Sequence, residues 1–562
     1  MTTTADRKSG GDPGTVATAP PRPAPLPQAP PRPAPPAAPQ PQSPAPAGPP
    51  AGADGGNSWV GPLCILIVGM FMSVLDTSIV NIAIPKMQTA LSASVDDIEW
   101  VVTGYTLVLG VVVPLTGWLG LRLGLTRLYV LSMLGFTLGS ALCGLAWSLP
   151  SMIAFRVVQA IPGGILPVVT MTLLFRIVPR DKIGTAMGLY GLGVVVAPAI
   201  GPTLGGALVE YFDWRLIFFI NVPVGILGMA LAMIYFPQIK PTTWPKLDLL
   251  GFVTIAYALF ALLLAFSEGE DWGWTSYGIL ALFVSAALSF ALFLVVENEV
   301  DNPLIDLKVF RSFAFCVSLA LIGVAMTSLF SALYFLPQFL QSVQGLQELD
   351  SGLVLLPGSL ILVVLMPIAG RLYDLIGPRY LVMTGLAIVA YGSWLMAHIA
   401  VDTPRGDIEW WLTVRNLGVG LAMMPIITAG TSSLPGALTS VGSSVNNIVQ
   451  RLAASVAIAV FGSLNTSKGD QLATDRGALM GVDPSAAAPL GGPGAGQPAH
   501  VSTPYLGAYQ DLMAQVRTET YANGFYAVAV LALVGAVLAV FMRAGKKKDD
   551  GGGGGPAHAV EL

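Results

Sequence analysis

From residue 61 onward the chain is a succession of apolar runs, each about 20 residues long. A helix of that length, rising 1.5 Å per residue, crosses roughly 30 Å of hydrocarbon. Fourteen such runs can be marked: 61–84, 98–119, 127–147, 151–176, 184–208, 215–236, 248–267, 274–295, 313–340, 351–372, 379–400, 409–430, 440–464 and 523–542. Lipid offers no partner for exposed backbone groups, so each run is expected to be a helix. Short turns join most of them, which predicts antiparallel neighbours. Charged residues are only 11% of the 562, against about 25% in a soluble protein. That is too little to cover soluble domains. The expected fold class is an all-α polytopic membrane protein.

Two stretches differ. Residues 1–57 hold seventeen prolines in the first 50 positions and no aromatic residue. They cannot bury enough apolar surface to offset ordering, so a disordered, proline-rich tail is expected. Residues 465–522 are polar and rich in Gly, Pro, Ala and Ser. The Lys and Arg positions then give an orientation. With the N-terminus inside, nineteen of the 28 fall on the cytoplasmic side and six outside, while Arg156, Arg415 and Arg451 lie within apolar runs. Both termini are therefore expected in the cytoplasm of a cell membrane, and 465–522 outside.

Several function classes are excluded. Net charge of −4 gives no basic field for nucleic acid. Cys64, Cys143 and Cys316 sit in apolar runs, which suits neither a disulfide framework nor a metal site. No GxxxxGK[ST] loop is present, so an ion gradient and not ATP is the expected energy source. No Ser–His pair or carboxylate pair is apparent at membrane depth, which argues against an intramembrane enzyme. No metal or other cofactor is expected.

The chain repeats itself. Gly117-Trp-Leu-Gly-Leu-Arg122-Leu-Gly124-Leu-Thr-Arg127 follows the second run. Gly370-Arg-Leu-Tyr-Asp374-Leu-Ile-Gly377-Pro-Arg379 follows the tenth. Both place two glycines seven apart with arginine close behind. Arg156 near the start of the fourth run corresponds to Arg415 in the twelfth. With the seventh and eighth runs as an insertion, two six-helix halves emerge, and transporters built from such halves bind at their interface. The expected division is a tail 1–57, a first half 58–236, an inserted pair 237–312, a second half 313–545 that includes loop 465–522, and a tail 546–562.

Four segments also carry a family resemblance. Leu75-Asp76-Thr-Ser-Ile-Val-Asn-Ile-Ala-Ile-Pro85 resembles the first-helix signature of the fourteen-span drug:proton antiporters of the major facilitator superfamily. Gly193-Val-Val-Val-Ala-Pro198-Ala-Ile-Gly201-Pro202-Thr-Leu-Gly205-Gly206 resembles their antiporter motif. Arg156-Val-Val-Gln159-Ala160-Ile-Pro162-Gly163-Gly164 is similar to their fourth-helix motif, with Ala160 where Gly is usual. Trp214-Arg215-Leu-Ile-Phe-Phe-Ile-Asn221-Val-Pro223-Val-Gly225 is similar to their sixth-helix entry. The resemblance covers roughly 59–545 and implies two six-helix halves plus two inserted central helices. It implies that Asp76 is the coupling acid, that Arg156 takes part in proton exchange, and that the 193–206 segment seals and hinges the two halves. It also implies an acid four residues after the leading glycine of each repeated loop. Asp374 supplies it in the second copy, but Leu121 stands there in the first.

The residues support part of this independently. Asp76 is the one carboxylate deep within an apolar run, where a charge costs at least about 2.5–3.5 kcal/mol and usually faces a working cavity. Asn446, Asn447, Gln450 and Arg451 have helical spacing that suggests one polar face. Tyr105, Gln159, Asn221, Tyr334, Gln338 and Arg415 complete the candidate cavity set. The expected function is a proton-coupled exporter of amphipathic drugs or related compounds. The alternative on the same fold is export of a lipid or secreted metabolite. The expected partners are the bilayer and that substrate, with the protein acting as a monomer. The resemblance leaves a periplasmic adaptor possible as a further partner, though nothing in the chain encodes one.

Overall fold

The structure is a computed structural model that describes residues 59–236, 246–300, 303–480 and 503–542. Both terminal tails, Lys240 and residues 481–502 of the polar stretch lie outside the described residues. The first half contains α1 (Val60–Leu91), α2 (Val95–Val112), α3 (Leu115–Leu123), α4 (Leu125–Gly144), α5 (Leu149–Ile177), α6 (Ile183–Tyr211), α7 (Leu216–Phe219) and α8 (Asn221–Tyr235). The next pair is α9 (Leu249–Trp272) and α10 (Tyr277–Glu299). The second half contains α11 (Phe313–Ser342), α12 (Glu348–Ile376), α13 (Pro378–Met396), α14 (Arg405–Ser432), α15 (Thr439–Met480) and α16 (Thr503–Leu538). Among the described residues there is no β-strand.

Each of the fourteen apolar runs coincides with helix. Eleven helices among the described residues are long and apolar enough to cross a membrane, or twelve with the bent second run. The other two runs, in Ile183–Tyr211 and Pro378–Met396, are helical as well. The second run is not one straight helix. It bends by 60° between α2 and α3, where Pro114 offers no backbone donor. The polar stretch also differs from a plain loop: α15 continues to Met480 and α16 begins at Thr503, so helix extends into 465–522 from both sides.

Helix starts follow local chemistry. Ser148 and Ser151 form a reciprocal capping box at α5. Ser94, Asp248, Ser276 and Ser312 accept backbone N–H groups at the starts of α2, α9, α10 and α11. Gly124 and Gly377, the second glycines of the two repeated loops, have φ of 82° and 78°. A side chain is disfavoured in that backbone region, so glycine lets the chain reverse between α3 and α4 and between α12 and α13.

Within the first half α1 packs on α6 and α4 on α5, and within the second half α13 packs on α14. The halves meet where α6 crosses α12 and where α15 lies against α5 and α3. A single core joins Met70, Met171 and Met187 of the first half to Leu321, Met366 and Met424 of the second. The α9–α10 pair is attached at one side, with α9 against α2 and α15.

Candidate functional site

Asp76 is fully buried on α1, with 0% of its surface exposed. Three donors converge on its carboxylate. Arg156 Nη1 lies 2.5 Å from Oδ2, while Gln159 Nε2 and Asn221 Nδ2 donate to Oδ1 at 3.0 and 3.3 Å. Arg156 is 1% exposed, so it does not snorkel to the membrane surface. Its Nη1 also donates to Gln159 Oε1 at 2.9 Å and its Nε to the Val101 carbonyl at 3.3 Å. The Tyr105 ring covers the guanidinium, 3.8 Å from its centroid to the central carbon. A buried ion pair is tolerable when both ions are hydrogen-bonded as well as paired, and both are here.

The surrounding helices fix these atoms. Arg156 and Gln159 are three apart on α5 and so share a face. Asn221, at the start of α8, also donates to Ser140 Oγ of α4 at 3.1 Å, and Ser140 donates to the Phe218 carbonyl at 2.8 Å. Cys143 Sγ donates to Gln159 Oε1 at 3.4 Å. Gly139 permits this proximity, because a Cβ there would meet Gln159 Cα at 2.8 Å. The sequence picked out Asp76 and Arg156 as charges within apolar runs, and Gln159 and Asn221 through motifs that resemble the family's, but missed Ser140 and Cys143. A lone hydroxyl or thiol in an apolar run carries no distinguishing pattern.

The equivalent position of the second half lacks an acid. Arg415 is 0% exposed. Its Nε donates to Ser393 Oγ at 3.1 Å and its Nη2 to Ser331 Oγ at 3.2 Å, while Nη1 has no hydrogen-bond partner. Gly392 plays the part of Gly139, bringing α13 against the Arg415 backbone. The expected polar face on α15 divides. Asn446 turns inward to donate to Thr431 Oγ1 of α14 at 2.7 Å, and Asn447 donates to its own helix at Ser443. Five residues on, a helix has turned well away from Asn446, and Arg451 is half-buried, with its Nε buried and unpartnered. Gln450, Tyr334 and Gln338 are half-buried, and the Tyr334 ring is tilted against Phe335.

The repeated loops differ in what they do. Asp374 accepts the N–H groups of Gly184 and Thr185 and the Thr185 hydroxyl, all at 2.9 Å. These N–H groups lie in the first turn of α6, so a second-half carboxylate caps a first-half helix, whose positive N-terminal end favours it. Gly370 and Gly184 pack backbone to backbone beside it. In the first copy Leu121 is 42% exposed. There Arg122 lies over the Trp118 ring at 5.1 Å, and a Cβ on Gly117 would meet Ser440 Oγ at 3.6 Å. Arg127 and Arg379 are exposed.

The 193–206 glycines have their nearest neighbours within the first half, where they let α6 approach α1 closely. Gly193 faces Ile67 and Met70, Gly201 faces Ser78, and Gly205 faces Ile79, all on α1. Gly206 approaches nothing within 4 Å. Pro198 is half-buried, and Pro202 continues the helix. The glycines that cross to the second half come earlier: Gly184, Gly188 and Gly191. The 193–205 stretch thus clasps the α1 segment that carries Asp76.

Two further acids are buried beyond Asp76. Glu297, at the end of α10, accepts the Ile305 N–H, and Asp248, before α9, accepts the Gly251 N–H at 2.8 Å. Their remaining oxygens both face Gly251. Asp248 opens one apolar run and Glu297 lies just beyond the end of another, so neither stood out as a carboxylate deep within a run. Among the described residues no group of three or more His, Cys, Asp or Glu could hold a metal.

Known proteins resemble this chain in the same terms. It is 32% identical to the multidrug export protein EmrB of Escherichia coli K12, over 72% of this chain and 79% of that one. It is 30% identical to the tetracenomycin C resistance and export protein of Streptomyces glaucescens, over 88% and 93%. An uncharacterised transporter of Bacillus subtilis, YhcA, is 34% identical over 72% and 76%. Among solved structures, the proton:xylose symporter XylE superposes with a TM-score of 0.55 at 12% identity, covering 86% of this chain and 96% of that one. The fucose:proton symporter FucP of E. coli gives 0.53, also at 12% identity, covering 85% and 99%. Those two likenesses bear on the fold alone. Residues 66–458 match the family model of the Major Facilitator Superfamily. With its helical halves, its repeated loops and export proteins among its relatives, the chain is a multi-pass membrane transporter that belongs to the Major Facilitator Superfamily.

Proposed function

We propose that the protein is a proton-coupled exporter of amphipathic organic compounds, working by alternating access with Asp76 as the proton-binding group. The observation that carries this reading is the buried Asp76–Arg156 pair. A carboxylate held by three donors is stable while charged. When a proton reaches it, Arg156 loses its counter-charge and the pair loosens. Because α6 clasps α1 beside Asp76 and also forms the latch with Asp374, a change at the acid can reach the contact between halves. The Lys and Arg bias puts the latch on the cytoplasmic side, so the described conformation is closed toward the cytoplasm. One charge moving down 100 mV supplies about 2.3 kcal/mol, enough for a useful gradient.

The test uses proteoliposomes preloaded with a fluorescent amphipathic dye under an imposed pH gradient. The native protein moves dye against its gradient. Asp76→Asn abolishes this uphill movement but retains downhill exchange. Uphill transport by Asp76→Asn at the native rate would remove Asp76 from the coupling role.

A further inference from the structure

Asp248 and Glu297 are buried at one end of the inserted pair, 9% and 5% exposed. Each has one oxygen accounted for. Asp248 Oδ1 accepts the Gly251 N–H at 2.8 Å and caps α9, while Glu297 Oε1 accepts the Ile305 N–H. The other two oxygens, Asp248 Oδ2 and Glu297 Oε2, are buried with no hydrogen-bond partner among the described residues. They point at the same place. A Cβ on Gly251 would collide with Asp248 Oδ2 and meet Glu297 Oε2 at 2.9 Å. Both oxygens thus lie within 2.9 Å of one point, and closer than twice that to each other. Two carboxylates so close and so buried do not both stay charged.

One proton resolves both orphans, because a carboxyl on one side becomes a donor to the carboxylate on the other. The helix ends decide which acid carries it. Asp248 caps the start of α9, where the positive end of the helix favours its charge. Glu297 lies in the last turn of α10, whose free carbonyls disfavour a carboxylate. The other charges near this end are engaged or turned to solvent. Lys246, Glu299, Lys308 and Arg311 are exposed, Asp306 pairs with Lys308 at 3.3 Å, and Arg122 of α3 lies over Trp118. The acids of α9 itself, Glu268, Glu270 and Asp271, sit at its opposite end, as do Asp97 and Glu99 of the adjoining α2. Arg451 is several turns into α15.

We propose that Asp248 and Glu297 share one proton, a second proton-binding site that works as a pH-dependent clasp. The clasp joins the start of α9, the end of α10 and the segment at Leu304 and Ile305 that leads into α11. In turn α9 packs on α2 of one half and α15 of the other. The Lys and Arg bias puts this end at the cytoplasm, so the clasp reads cytoplasmic pH and not that of the outer medium. Loss of the proton leaves two like charges facing each other and loosens the inserted pair from the second half. The site is separate from Asp76 and does not depend on the exporter reading.

Infrared titration of the full chain in phosphatidylcholine nanodiscs tests this. The native protein shows a carboxylic-acid C=O band at mildly acidic pH, where ordinary carboxyls are ionised. Glu297→Gln removes that band and Asp76→Asn retains it. Asp248→Asn makes it fade at lower pH, because the neighbouring charge that holds the proton is gone. Thermal unfolding gives a second reading. A proton bound in the folded chain and released on unfolding makes stability fall as pH rises. Glu297→Gln imitates the protonated acid, so its unfolding temperature should match the native one in mild acid and exceed it by at least about 1 °C in mild alkali. Absence of the band, its survival in Glu297→Gln, or an unshifted titration in Asp248→Asn overturns the proposal. So does a Glu297→Gln protein that is less stable than the native one at every pH or fails to elute as a single species, because a neutral isostere harms only a pair that is held charged.

Discussion

Arg156→Gln would leave the Asp76 carboxylate buried without its counter-ion. Stranding one member of a buried pair costs about 3–5 kcal/mol. The variant is expected to unfold at a markedly lower temperature in detergent. Asp76→Asn in the same chain removes the stranded charge, so the double variant should regain part of the loss. A thermal-unfolding cycle over the four proteins checks this, and additive losses would mean the pair contributes no coupling. At this scale the sequence was half legible. A charge in an apolar run is conspicuous, which exposed Asp76 and Arg156. Ser140 and Cys143 were not legible, because their roles depend on α4 lying beside α5 and α8. Asn221 stood out through its motif, yet its two partners are 81 and 145 residues away in the chain.

Among the helices, glycine decides how closely the axes approach. A side chain at Gly139 would press on the Gln159 backbone, and one at Gly392 would press on Arg415. Gly139→Val should force α4 and α5 apart, costing about 1–3 kcal/mol by overpacking. It should also displace Gln159 from Asp76, so dye efflux falls together with the unfolding temperature. Gly323 on α11 has nothing within 4 Å of an added Cβ, so Gly323→Ala should preserve stability or raise it by about 0.5–1 kcal/mol. Parallel unfolding curves for the two variants separate crowding from the mere loss of a glycine. The glycines were visible in the sequence, but the surfaces they face were not. The 193–205 series read as glycines for close helix approach, and the neighbour they approach is α1. The bend at Pro114 was similarly hidden within a continuous apolar run.

For the molecule as a whole, Asp374 is the polar contact that ties the two halves at one end. Losing a helix-capping acceptor costs about 0.5–2 kcal/mol. If that cost falls mainly on the latched state, a loss of about 1.4 kcal/mol shifts the two-state population tenfold. Asp374→Ala should therefore favour the conformation open at the latched end. Spin labels at positions 181 and 375 should report a longer-distance population that is minor in the native protein. An unchanged distance distribution would mean that the glycine contacts alone hold that end closed. The first repeat has Leu121 in the matching position, so closure leans on one acid and not two.

Helix existence was determined by the sequence alone, because hydrocarbon forces every backbone donor and acceptor to be satisfied within its own segment. The two halves followed from repeated loops whose glycines the turns require. Neighbours were a different matter. A helix that is apolar on both its lipid face and its protein face gives no amphipathic signal, so the sequence could not say which side of α6 met α1 or which side of α15 met α9. Tertiary packing alone gathered three donors on Asp76, faced Asp248 toward Glu297, and set Asp374 on the first turn of α6.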